Sequence, residues 1–232
     1  MPRIAWVSAL AGLLLLAAAP VAWNLAQVPD TVGDLEAVTA RATATELPPA
    51  PELGPWGDGL APQQPARSVE PEPVTAPVSL RLPSLGVVAP LDAVGLEPDG
   101  AMEIPHDIRR VGWYELGVMP GEPTGTAVLS GHVDSREQGR GAMWGLKDMA
   151  VGDEVTIEHE EGGTTTWRVE ARTSYLKEQL PIDDIFTRFG DPRLVLITCG
   201  GDFDRSARRY SRNIVVYAVP VTDAEVDADQ AA

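Results

Sequence analysis

The 232-residue chain has one cysteine, Cys199, and three histidines. A single cysteine excludes an intramolecular disulfide, so Cys199 is either packing or a working thiol. Basic residues are scarce as well: 18 Lys and Arg stand against 34 Asp and Glu, a formal net charge of -16. Such a surface repels phosphate backbones and anionic lipid, and no basic cluster along the sequence breaks the pattern, so no nucleic-acid partner is expected. Helical signal is confined to short patterns at 143–147 and 182–188, which argues against a helical fold, and no internal repeat is present.

Charge is missing altogether from residues 4–23, where Ser8 is the one clearly polar side chain. At about 1.5 Å per residue, twenty such residues just cross a hydrocarbon core of about 30 Å. Arg3 precedes the run, and Asp30 and Asp34 are the first charges after it. The asymmetry predicts a membrane anchor over 1–23: a single-pass transmembrane helix with a cytoplasmic N-terminus and the rest of the chain outside the cell membrane. A cleaved signal peptide is the competing reading, since Ala17-Ala18-Ala19 and Ala22 offer small residues to a protease. Either reading exports the remainder of the chain.

Residues 24–77 hold ten prolines, many alanines and few large apolar side chains. Burial there cannot repay the entropy of ordering, so a disordered or extended linker is expected. The texture changes at Val78. From 78 to 220, short apolar runs alternate with Gly, Pro and Asp turns, at 78–82, 87–94, 127–129, 154–158, 164–174, 194–198 and 213–219. About 143 residues with roughly eight strands fit one all-β domain, a closed β-barrel with short helices. Residues 221–232 read as a solvated acidic tail.

Cys199 ends the run Leu194-Val195-Leu196-Ile197-Thr198 and precedes Gly200-Gly201, which permit tight backbone geometry and close approach of a substrate. A nucleophilic thiol needs thiolate character, hence positive charge nearby. His132, in Ser130-Gly131-His132-Val133-Asp134, is the candidate imidazole, because His106 and His159 sit in acidic segments and are expected to face solvent. Arg212 opens the last strong strand, where a guanidinium could steady an oxyanion; Arg208 and Arg209 compete for that role from a polar loop.

Residues 78–220 resemble a sortase, the membrane-anchored cysteine transpeptidase of Gram-positive cell walls, in the style of the class E and F enzymes of actinobacteria. The resemblance is carried by the stretches 80–87, Gly112-Trp113-Tyr114, 128–134, Val151-Gly152-Asp153, Leu196-Ile197-Thr198-Cys199-Gly200-Gly201 and 213–218. Val195 stands where the family's Thr-Leu-x-Thr-Cys signature has its first threonine. The resemblance implies His132, Cys199 and Arg212 as catalytic residues and Thr198 as a substrate-site residue, with no metal or organic cofactor. It also implies an LPxTG-like sorting signal on an exported protein as donor. Cys199 would attack the Thr carbonyl, Arg212 would steady the tetrahedral oxygen, and His132 would protonate the leaving Gly amine. The acyl-thioester would pass to a cell-wall precursor or another primary amine. Peptide specificity is expected to involve 175–191.

Other readings fit less well. A papain-like hydrolase places its histidine after its cysteine, and an L,D-transpeptidase carries a compact Ser-His-Gly block that this chain lacks. A membrane-tethered, non-catalytic binding domain with a sortase-like barrel is the alternative from a different functional class.

Overall fold

The structure, a computed structural model, describes residues 31–43 and 74–221. Eight strands form the closed ring: β2 (Pro77–Leu82), β3 (Val87–Val94), β4 (Val111–Tyr114), β5 (Thr126–Ser130), β8 (Glu154–His159), β9 (Thr164–Leu176), β10 (Arg193–Asp204) and β11 (Arg209–Pro220). Around the ring the order is β9, β11, β10, β5, β4, β3, β2, β8, and the β8–β9 pairing closes it. The barrel is mixed, because β3 runs parallel to β4 and β10 parallel to β5. Short β1 (Thr31–Gly33), β6 (Asp134–Ser135) and β7 (Gly139–Arg140) lie outside the ring, with helices α1 (Leu35–Thr43) and α2 (Ile182–Ile185).

Alternation of side chains along the strands sorts the apolar residues into two cores. Leu194 and Leu196 of β10 join Leu80, Leu129, Trp167 and Val216 inside the barrel. Val195 and Ile197 point the other way and pack with Val128, Val215, Tyr217, Val38 of α1 and Ile185 of α2. β10 is therefore buried on both faces, which is why it reads as an unbroken apolar run. The expected closed eight-stranded barrel with short helices is present. β4 was not among the predicted strands: only four residues long, with a glycine at its second position, it has too few residues to show a period.

The expectation of an N-terminal transmembrane helix is corrected. Among the described residues no helix is long and apolar enough to cross a membrane. α1 has nine residues and carries Glu36 and Arg41, so it spans about 14 Å, half of a hydrocarbon core. The single-pass placement and the membrane as a partner through that helix are withdrawn with it. The predicted anchor (1–23) and the tail from 222 onward lie outside the described residues.

Part of the expected linker is also ordered. Residues 31–43 contain no proline, and Asp34 caps α1 by accepting from the Ala37 amide at 2.9 Å. β8 pairs with β9 only over 164–168, and β1 takes up the same strand at 171–173. Buried Val38 then seals the outer core.

Candidate active site

The parallel pairing of β5 with β10 matches Ser130 to Ile197, so the next residues along each strand, Gly131-His132 and Thr198-Cys199, leave the sheet side by side. Two hydrogen bonds hold them. The Gly131 amide donates to Ile197 O at 3.2 Å, and Thr198 Oγ1 donates to Gly131 O at 2.8 Å. Thr198 is thus a buried tie between the histidine segment and the cysteine strand. Gly141 packs against the backbone of His132 so closely that a Cβ would lie 2.2 Å from its carbonyl oxygen. The His132 carbonyl also accepts from the Met143 amide.

Cys199 is half-buried, and three cavities meet at it. One of about 430 Å³ runs between Leu96, Met102 and Ile104 on one wall and Leu180, Ile182 and Phe186 on the other, and His132 and Cys199 both line it. Phe186 meets Tyr114 edge-on at 5.3 Å. The second wall comes from the segment 175–191 that the sequence nominated for specificity. A smaller cavity of about 200 Å³ lies among Trp144, Lys147, Tyr210 and Ile214. The third, about 1060 Å³, is again shared by His132 and Cys199 and is bordered by the β10–β11 hairpin.

Arg212 sits one residue out of register with the thiol. Cys199 pairs with Asn213, and Arg212 pairs with Gly200. Its guanidinium donates to Ser174 O at 3.2 Å, and it lines none of these three cavities. A cation in contact with the sulfur is Lys177, whose Nζ donates to Cys199 Sγ at 3.5 Å. Sequence reasoning missed Lys177; it lies 22 residues upstream in a turn after β9, and no local motif marks it. Gly201 has φ +74, which favours glycine, and a Cβ there would lie 2.7 Å from Ser211 Oγ and 3.0 Å from Arg212 Cγ.

His106 is exposed, as expected, but the solvent-facing reading of His159 is corrected. His159 is 6% exposed; its Nδ1 lies 2.8 Å from Thr75 O and its Nε2 3.0 Å from Thr165 Oγ1. Its acidic neighbours Glu158 and Glu160 hid this, but along β8 the ring shares the buried face of Val155 and Ile157, opposite Glu158.

Tyr210 OH donates to Asp134 Oδ2 at 2.8 Å and ties the hairpin to the segment after His132. Burial, then the bond to Asp134 and the negative charge of Asp134, push the phenol up to about 12. Because the folded value is raised, this contact stabilises fully below tyrosine's ordinary value of about 10 and is lost as pH rises through about 12. Phenolate absorbance titrations of wild type and Tyr210→Phe should therefore coincide through about pH 11. A wild-type excess of one phenolate near pH 10 would contradict the bond.

The sortase-domain family model matches residues 80–221, more than half of the chain. Among curated proteins none matches. Solved structures similar to it include sortase C1 of Streptococcus agalactiae in complex with MTSET, at 22% identity and TM-score 0.49, covering 62% of this chain and 67% of that one. Sortase C-1 from Actinomyces oris is 20% identical with TM-score 0.50, covering 62% and 73%. A lid mutant of sortase A from Corynebacterium diphtheriae is 19% identical with TM-score 0.49, covering 66% and 74%. At 20% identity the Actinomyces oris structure speaks for the fold alone, whereas the family model spans both His132 and Cys199; the chain belongs to the sortase family.

Proposed function

We propose that this sortase-family protein cleaves an LPxTG-like sorting signal between Thr and Gly and transfers the acyl part to a primary amine. The observation that carries the reading is the shared cavity: an apolar groove that ends at His132 and Cys199. Its walls suit the Leu and Pro side chains of such a signal, and the scissile carbonyl then reaches the sulfur.

Lys177 Nζ donates to the sulfur at 3.5 Å and so stands beside the attacking atom. The Cys199 thiolate adds to the Thr carbonyl, and protonated His132 gives its proton to the leaving Gly amine as the carbon–nitrogen bond breaks. The resulting thioester is attacked by the acceptor amine. His132 takes the amine's proton, the carbon–sulfur bond breaks and the thiolate returns. Arg212 is assigned to the oxyanion by family resemblance, and a rotamer change away from Ser174 would be its route to the substrate. The likeness to class E and F enzymes rests on the motif stretches alone, and the cell-wall precursor is the acceptor that resemblance implies.

The test is mass spectrometry of the full chain with an LPxTG-type peptide library and a mixture of amines. A thioester on Cys199 and an amine-dependent ligated product are expected. Absence of both across the library favours a non-catalytic binding domain.

A further inference from the structure

The largest cavity at Cys199 departs from the charge of the whole molecule. Arg136, Arg205, Arg208 and Arg209 line it together with Lys177, and the one acidic residue in the lining is Asp134. Asp134 is engaged by the Tyr210 hydroxyl. Five of the chain's 18 basic residues thus face one cavity, with one of its 34 acidic residues. Arg136, Arg205 and Arg208 have no hydrogen bond or ion pair among the described residues. Asp204, the nearest acid in sequence to Arg205 and Arg208, turns its Oδ1 into the loop, accepting from the Ser206 amide at 2.7 Å and the Ala207 amide at 3.0 Å. The hairpin that presents the arginines is braced by Phe203 against Tyr210, 5.0 Å apart.

Like charges are not gathered beside a reactive sulfur without cost, and Arg208 also holds a left-handed φ of +52 that a side chain seldom adopts. An anion among them relieves the repulsion. The position decides which anion. His132, Lys177 and Cys199 line both the apolar cavity and this one, so a donor held in the first with its carbonyl on the sulfur has the second open to its amine. The incoming amine attacks the same acyl carbon and takes the same side.

We propose that this cavity is the amine site, and that Arg205 and Arg208, with Arg136, select acceptors carrying an oxyanion group, carboxylate or phosphate, close to the reacting amine. The inference rests on the transpeptidase reading and names its second substrate class. A protein of net charge -16 repels such acceptors at a distance, and the cluster reverses that locally.

The experiment preforms the acyl-enzyme from the full chain and offers glycyl-glutamate, neutral glycyl-glutamine amide or 2-aminoethyl phosphate. Ligation to glycyl-glutamate should exceed ligation to the neutral acceptor by about fivefold to tenfold at low salt, with the ratio shrinking as salt screens the exposed arginines. An equal or greater advantage for the aminoethyl phosphate supports the site with phosphate as the anion. Arg205→Ala/Arg208→Ala should bring the ratio near one, and the Lys double variant should keep most of it; a general loss of structure would lower both acceptors together. Equal rates in wild type, or a ratio that survives the alanines, overturns the proposal. If no acyl-enzyme forms, the transpeptidase reading fails, and glycyl-glutamate binding to Cys199→Ala decides the site by itself. Salt-sensitive binding lost with the arginines supports an anion site, and no binding overturns it.

Discussion

On the proposed reading, Cys199→Ala should abolish thioester formation and lower transpeptidation by about ten-thousandfold or more, while the thermal midpoint should stay within about 2 °C of wild type. The loss is this large because no neighbouring group can replace the sulfur. Ser130 lines the same apolar cavity but is 7% exposed, and the Thr198 hydroxyl is committed to Gly131 O. The fold is indifferent because Cys199 is half-buried at the mouth of three cavities rather than packed in either core. Turnover is read by product mass and structure by thermal unfolding. Residual ligation above a hundredth of wild type would show that the thiol is not the nucleophile.

The second large effect is on stability. Arg193 is 3% exposed, yet it is the junction of three elements. Its guanidinium donates to Asp184 O at 2.6 Å, to Val38 O at 3.3 Å and to Thr126 Oγ1 at 3.2 Å. It also lies 5.3 Å from the Tyr217 ring and faces the Asp184 carboxylate at 3.3 Å. Both oxygens of that carboxylate are buried without a hydrogen bond, so Arg193 is its counterion. Arg193→Met should cost about 3–5 kcal/mol, because an uncompensated charge is left inside, and lower the midpoint by about 6–20 °C. Adding Asp184→Asn should recover much of the loss by removing that charge. Denaturant unfolding of the two variants checks this, and a single-variant cost under about 1 kcal/mol would mean that water reaches the pair. Because α2 comes just after Leu180 and carries Ile182, the groove wall should loosen as well.

Much of this arrangement could be read from the chain. Strands β2, β3, β5, β8, β9, β10 and β11 announced themselves because a barrel wall imposes alternation on its residues or, when covered on both faces, an apolar run. The candidate thiol and imidazole stood out because cysteine and histidine are so rare here. β4 was too short to register, α1 was hidden in a proline-rich neighbourhood, and His159 was hidden among acids.

What the sequence determined by itself was local: which segments extend, which faces are apolar, and which few residues could carry acyl transfer. Tertiary structure decided the rest. The parallel pairing of β5 with β10 brings His132 beside Cys199 across 67 residues, and nothing in either segment encodes that register on its own. The pairing of β9 with β11, and of β11 with β10, sets Lys177 on the sulfur, and the β10–β11 hairpin helps collect Arg136 with Arg205 and Arg208 around one cavity. Along the chain Lys177 and Arg136 each stand beside a glutamate, and Arg205 and Arg208 read as part of an ordinary polar loop. The reason is physical: side-chain periodicity depends on neighbours a few residues away, whereas the field at a site is a sum over everything that long-range strand pairing brings near it.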